Sequence, residues 1–175
     1  MFVLETERLT LRQLAPETDA EFILRLVNEP SFLRYIGDKK VRTTDDARSY
    51  IRNGPVKSYQ DNGFGLYRVG LKDDDVAIGI CGLVKRDTLP DPDIGFAFLP
   101  EFWNQGYAHE SAAAVMRHAR EVLRLKRILA ITSPDNESSG KLLAKIGLRL
   151  QRLVRLSENA DEVKLFATDD ERSAS

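Results

Sequence analysis

The stretch LPEFWNQGYAHE, Leu99 to Glu110, sets Gln105-Gly106-Tyr107-Ala108 directly before a run with helical spacing. A helix leaves its first N–H groups without internal partners, and its dipole favours an anion there. Glycine and alanine keep such a loop slim, and Gly106 takes backbone conformations that other residues resist. This is a geometry for a phosphate group, although a plain strand–turn–helix connection is written the same way. Just upstream, DIGFAFL alternates. Ile94, Phe96 and Phe98 point one way, and Asp93, Gly95 and Ala97 the other. The second face is a slot with a carboxylate at one end. Glycine weakens a strand unless a bulge or a close ligand uses the space; the plainer alternative is a half-exposed strand with one polar residue. Downstream, ITSPDNESSGKLLAKIGL places Asn136 and Ser139 at a helix start, where an asparagine also suits a simple cap.

The elements that must position these residues follow from periodicity. Glu7–Leu14 reads as a first strand, and Pro16 opens a helix to about Asn28 with Ala20, Ile23, Leu24 and Val27 on one face. Thr43 with Asp46 resembles a capping box before a second helix, with Ala47, Tyr50 and Ile51 inward. Gly63–Leu71 and Val76–Val84 form a hairpin around KDDD, and Asp93–Leu99 is a further strand. A helix runs from near Gly106 to about Arg124, its inner face Ala108, Ala112, Val115, Met116, Ala119, Val122 and Leu123. A buried-type strand at 127–132, a helix from Asn136 to Ile146 stopped by Gly147, and strands at 148–156 and 162–168 complete the chain. The order predicts an α+β (mixed α/β) domain over residues 1–168, with a central, mostly antiparallel sheet of about seven strands flanked by about four helices. A polar tail at 169–175 is expected to fray.

Composition narrows the function. With 175 residues, 42% hydrophobic and 30% charged, the chain has the make-up of one globular domain. A net charge of -1 supplies no basic field for nucleic acid. No apolar stretch approaches a membrane span and no apolar signal core opens the chain, so a cytoplasmic protein is expected. Cys81 stands alone in VAIGICGLV and reads as a small buried hydrophobe. His109 and His118 lie nine apart, which is not metal-ligand spacing, and no metal is expected. Neither G-x-G-x-x-G after a strand, nor G-x-x-x-x-G-K-[ST], nor G-x-S-x-G occurs.

Taken in order, LETERLTLR, DIGFAFLPEFWNQGYAHES and SPDNESSGKLLAKIGL resemble the GNAT superfamily of acyl-CoA-dependent N-acyltransferases, closest to its branch resembling the ribosomal-protein N-terminal acetyltransferases. The resemblance runs from Leu4 to about Thr168. It implies a GNAT-like sheet splayed at the coenzyme site and acetyl-CoA as acyl donor. The family's pyrophosphate loop (Gln or Arg, two residues, Gly, one residue, Gly or Ala) falls on Trp103 to Ala108, with Trp103 in first place. By resemblance, the amides of Asn104, Gln105, Gly106, Tyr107, Ala108 and His109 hold the pyrophosphate. The backbone of Phe96, Ala97 and Phe98 pairs with the pantetheine arm, and Asn136 contacts that arm. Many members carry a tyrosine seven residues after this asparagine, as acid for the leaving thiolate. Here Leu143 stands there, and Ser139 becomes the candidate acid.

Acyl transfer to an amine needs a base for the ammonium, a donor for the carbonyl oxygen and a proton or hydrogen bond for the sulfur. Asp93 stands where many relatives have a glutamate and is the candidate base; burial between Ile94 and Phe96 would raise its pKa. Glu110 is the runner-up, although a carboxylate in the first turn of a helix is favoured by the dipole alone. His109 suits a phosphate contact or none, and His118 a surface position. By resemblance, the link RYIGDKKVRTT forms one wall of the acceptor cleft, with Arg34, Tyr35 and Asp38 in reach; its basic residues read equally as a solvated face. The expected activity is acetyl-CoA-dependent transfer to a primary amine of a protein N-terminus, amino acid or small molecule. The alternative is a non-catalytic acyl-CoA-binding module, which Leu143 keeps open. A homodimer is compatible with such a chain.

Overall fold

A computed structural model describes residues 2–169; of the tail expected at 169–175, all but Asp169 lies outside the described residues. Strands β1 (Phe2–Glu5) and β2 (Leu9–Gln13) lead into helices α1 (Pro16–Val27), α2 (Pro30–Tyr35), α3 (Thr44–Ile51) and α4 (Lys57–Asn62). Then come β3 (Leu66–Leu71), β4 (Ala77–Val84), β5 (Asp93–Phe98), α5 (Tyr107–Glu121), β6 (Leu129–Thr132), α6 (Glu137–Lys145), β7 (Leu148–Arg155) and β8 (Glu162–Thr168). The strands form one sheet in the order β1-β2-β3-β4-β5-β6-β8-β7. Every neighbouring pair is antiparallel except β5 and β6.

The α+β reading holds, with eight strands rather than the seven or so expected and six α-helices among the described residues rather than about four. β1 escapes the sequence because it is a short edge strand bulged against β2. At six residues each, α2 and α4 are too short for a helical repeat to show. α3 begins at the expected Thr43–Asp46 capping box and does not stop at Ile51. It passes through a π-helical turn, Arg52–Val56, straight into α4. Pro55 lies in that turn: proline has no N–H to donate, and widening to an i→i−5 pattern accommodates it, as in the Lys57 N–H to Arg52 carbonyl bond.

Helices cover both faces of the sheet. On one side α5 and α6 bury Ala112, Val115, Met116, Ala119 and Leu143 against Leu9, Leu11, Val69, Leu83, Ile94 and Phe98. On the other, α1 and α3 bury Ile23, Leu26, Ala47 and Ile51 against Leu14, Ile80 and Leu99. The alanines of α5 let its axis lie close to the strands. Val122, expected on this face, is 65% exposed because the helix ends at Glu121.

β5 is held to β4 over six register pairs, Val84↔Asp93 through Gly79↔Phe98. It meets β6 at one, Asp93↔Leu129, after which the two strands part. Gly82 marks how tightly the left half of the sheet is closed: a Cβ there would sit 2.0 Å from the Gly65 carbonyl oxygen. Gly82→Ala is therefore expected to destabilise the fold by about 1–3 kcal/mol in urea unfolding, and an unchanged unfolding midpoint would show that the strand can shift to accept it.

Candidate active site

The parting of β5 and β6 leaves strand edge uncovered, and backbone alternation says which groups it exposes. The Pro92 carbonyl accepts from the Leu129 N–H, and the Leu99 N–H donates to the Ile78 carbonyl, both at 2.9 Å. Even-numbered residues of β5 therefore turn their N–H and C=O towards β6, and odd-numbered ones towards β4. Beyond Ile94 no strand of the described residues lies opposite, so Phe96 and Phe98 present main-chain groups to the gap. The backbone of Ala97 faces Ile80 on β4 instead. The Phe98 carbonyl accepts from the Trp103 indole N–H at 2.9 Å, which closes the far end of this edge.

The loop beyond it coils to suit an anion. Asn104 (φ 60°) and Gly106 (φ 82°) are both left-handed, a conformation that asparagine and glycine tolerate best. Gly106 is the residue before α5, no side chain caps that helix, and its first internal bond is Glu110 N–H to the Gly106 carbonyl. The N–H groups of Tyr107, Ala108 and His109 are thus left outside the helical ladder.

This loop is clamped from the far end of the sheet. Glu110 accepts from the Thr6 hydroxyl (2.6 Å), the Arg8 N–H (2.9 Å) and Arg8 Nε (2.7 Å). Arg8 Nη1 also donates to the Gln105 carbonyl (2.9 Å), and the guanidinium lies 4.4 Å from the Tyr107 ring centre. Burial pushes the Glu110 pKa up, but the donors from Thr6 and Arg8 outweigh it and hold the carboxyl below its ordinary value. Thr6 and Arg8 went unassigned in the sequence because their partners lie about a hundred residues away.

Across the gap, Asn136 begins α6 and its side chain accepts from the Ser139 N–H at 3.3 Å, so the capping alternative is realised. Its side-chain amide N–H groups have no partner among the described residues. Ser139 is half-buried, its hydroxyl without a partner among the described residues, and Leu143, one turn on, is 1% exposed in the core. Nothing in the local sequence marks Thr132. Ala130 packs in the core under α5 and α6, so Thr132, two residues on, faces the same way at the end of β6. Its hydroxyl is buried with no hydrogen-bond partner.

On the opposite face of β5 lies the slot. Asp93 is 1% exposed and accepts from Arg86 Nε at 3.0 Å. Burial raises its pKa, and Arg86 opposes the rise. A Cβ on Gly95 would meet only Leu66 Cδ2, at 3.7 Å, so packing does not require glycine there. The ladder has no bulge at this point either. At the mouth of the gap, Arg34 of α2 reaches Asp135 at 3.1 Å, an exposed pair joining α2 to the β6–α6 connection. Tyr35 lies beneath the Arg34 guanidinium, and Asp38 is engaged by Arg42 at 2.6 Å. A groove of about 450 Å³ lies between α5 and the end of α6, lined by His109, Arg117, Arg120, Lys145 and Gly147. His118 is half-buried, and desolvation lowers its pKa. Among the described residues no cluster of three or more His, Cys, Asp or Glu suits a metal ion, and no helix is long and apolar enough to cross a membrane.

Residues 8–149 match the family model for the acetyltransferase (GNAT) domain. The chain is 31% identical over 155 residues to the uncharacterised N-acetyltransferase YoaA of Bacillus subtilis (strain 168), covering 87% of this chain and 86% of that one. Among solved structures, a GNAT-family acetyltransferase from Bacillus anthracis superposes with a TM-score of 0.76 at 24% identity, covering 95% of this chain and 97% of that one. RimL, a ribosomal L7/L12 alpha-N-protein acetyltransferase solved with coenzyme A, superposes with a TM-score of 0.83 at 16% identity, covering 98% and 99%.

Two substitutions separate residues that hold the fold from residues that leave space or donors open. Thr132→Val removes an orphaned hydroxyl at constant size, and stability in urea should hold or rise by up to about 1 kcal/mol. Gly95→Ala should keep the wild-type melting temperature, unlike the same change at Gly82. A marked loss in either would mean that the position serves packing.

Proposed function

Because the chain belongs to the GNAT family of acetyltransferases, we propose that it moves the acetyl group of acetyl-CoA to a primary amine by direct attack on the thioester. The observation that carries this reading is the run of main-chain groups outside the β4 ladder, from both groups of Phe96 and the N–H of Phe98 to the uncapped start of α5. An extended chain of amides ending in a diphosphate fits such a run, amides along the strand edge and diphosphate on the loop N–H groups. In this reading Phe96 and Phe98 hold the pantetheine arm, with the Ala97 methyl on the acceptor side. Asn104, Gln105, Gly106, Tyr107, Ala108 and His109 hold the pyrophosphate, under Trp103. Asn136 and the orphaned Thr132 hydroxyl supply further donors to the arm. Glu110 is a positioning residue: with Arg8 and Thr6 it keeps the loop in register.

The chemistry follows from the two sides of β5. The ammonium of the acceptor loses a proton to the Asp93 carboxylate, through a water molecule. The nitrogen lone pair then forms the bond to the thioester carbon. A main-chain N–H at the β5 edge stabilises the developing oxyanion. The C–S bond breaks as the nitrogen gives up its second proton; the departing sulfur takes up that proton through the Ser139 hydroxyl, which donates one proton and regains the other, the position that Leu143 cannot serve. Protein N-termini, amino acids and small amines all fit this scheme.

The test is acetyl-CoA-dependent thiol release against dipeptides, amino acids, polyamines and aminoglycosides, with coenzyme A binding measured by calorimetry. Binding without release from any amine would favour the non-catalytic module. Asp93→Asn should lower kcat/KM by about 10²–10⁴-fold and leave coenzyme binding intact, and Ser139→Ala should lower kcat. Arg8→Ala should weaken coenzyme binding more than it slows turnover. Turnover requires ionised Asp93, and Arg86 favours that form. Arg86→Gln should therefore move the acid limb of the kcat/KM profile to higher pH, by about one unit or more. A limb that stays in place would remove Asp93 from the proton's path.

A further inference from the structure

Building on the acetyl-transfer reading, we infer that the carbon bearing the acceptor amine carries an apolar branch, seated over the bare backbone of Gly95, and that Gly95 and Leu66 set the size of that branch. Register places Leu66 of β3, Gly82 of β4 and Gly95 of β5 in one row across the α3-facing side of the sheet. The two glycines of this row differ. The chain itself lies over Gly82: a Cβ there would stand 2.0 Å from the Gly65 carbonyl oxygen and 2.8 Å from Leu66 Cα. Gly65 in turn lies against Tyr59, whose Cε1 would be 2.6 Å from a Cβ at that position. The Tyr59 hydroxyl also donates to the Leu66 carbonyl. These close approaches and the hydrogen bond fix where the Leu66 side chain starts. It reaches along the row and ends with Cδ2 3.7 Å from the Cβ position of Gly95. The chain neighbours of Gly95 aside, no other described atom lies within 4 Å of that position. Gly95 is half-buried in the middle of its strand, with room above it and a fixed wall on one side.

What borders this room says what fills it. On the same face, Ala97 beside Ile80 lies to one side of Gly95, and Asp93 beside Val84 to the other. Leu66, Ala97 and Val84 are half-buried and present carbon to the room. The main-chain groups of Gly95 turn towards Gly82 on β4, so the floor offers no free donor or acceptor. Alternate residues of a strand stand about 7 Å apart, which sets Gly95 within a few atoms of the candidate base. In the transfer scheme the attacking nitrogen stands between Asp93 and a thioester held at the Phe96 edge. The carbon that carries the nitrogen therefore passes over Gly95. A methyl or longer alkyl branch on that carbon exchanges water for contact with Leu66 and Ala97. A polar branch would lose its hydrogen bonds to water there and find none in return. Apolar amino acids, their amides and peptides that begin with an apolar residue share the required branch. Polyamines lack it.

The experiment runs the thiol-release assay on the full chain with glycinamide, alaninamide, valinamide, leucinamide and spermidine. These amides differ only in the branch. Their kcat/KM should rise from glycinamide by about fourfold for each methyl or methylene seated. Leucine and a leucyl dipeptide, run beside leucinamide, tell a free amino acid from a chain terminus. Gly95→Ala puts a methyl in the room and should turn the order round, leucinamide losing about tenfold or more relative to glycinamide. Adding Leu66→Ala to Gly95→Ala should return leucinamide towards its former place. The wild-type series decides the inference even where Leu66→Ala unfolds the chain. A flat series, or glycinamide or spermidine as the best acceptor, overturns it. So does a Gly95→Ala enzyme that keeps its acceptor order and changes its preference between acetyl-CoA and propionyl-CoA, because the room then belongs to the donor. If coenzyme A fails to bind and no amine releases thiol, the acetyl-transfer reading itself has failed. Coenzyme binding with turnover of unbranched amines alone defeats only the apolar branch.

Discussion

Two strands that meet once and then separate set the rest of this structure in place. β5 and β6 share the single register position Asp93↔Leu129. Buried or half-buried backbone groups in a sheet normally find partners, so an open edge here needs something to keep it open. Each half of the sheet is closed on its own outer side: six register pairs tie β5 to β4, and four tie β6 to β8. The gap lies between two well-bonded halves, and neither can swing in to close it without losing its ladder. α5, the crossover between the two strands, packs its alanines on β4 and β5, and its N-terminus arrives beside the open edge.

Charge is distributed about that gap in two separate arrangements. On the α5 side it serves position. Arg8, Thr6 and Glu110 tie the loop and the first helical turn to the β1–β2 connection, so the left-handed residues Asn104 and Gly106 are held from outside as well as by their own preferences. On the α3 side the carboxylate of Asp93 is buried against Arg86. A buried ion pair adds little net stability compared with an apolar pair of the same shape. Cys81, by contrast, is fully buried and its thiol pKa is pushed up to about 12 by desolvation, as befits a small hydrophobe.

Much of the fold was legible because it is written in short-range periodicity. The alternation of DIGFAFL, the alanine face of α5, the Thr43–Asp46 capping box and the stop at Gly147 each depend on neighbours within a few residues. What escaped was either short or irregular. β1 is brief and bulged, α2 and α4 last six residues, and the π-turn at Pro55 joins two helices where proline would ordinarily end one. Of the candidate site, the residue types were legible and the partners of each group were not. Ala97 lies on β5 with its backbone facing β4, and nothing in the local sequence of Thr132 marks its buried, unpartnered hydroxyl.

By itself the sequence determined the class of fold, the slim glycine loop before a helix, the carboxylate-bearing slot and the leucine at position 143, because each depends on residue type and local spacing. Tertiary structure alone decided which glycine is needed for packing, Gly82, and which leaves space, Gly95. It also decided that Arg86 belongs to Asp93 and that Arg8 claims Glu110 from across the sheet. The physical reason is range. Hydrophobic periodicity is a property of a few consecutive residues, whereas the partner of a charge and the emptiness of a slot depend on segments that only the folded chain brings together.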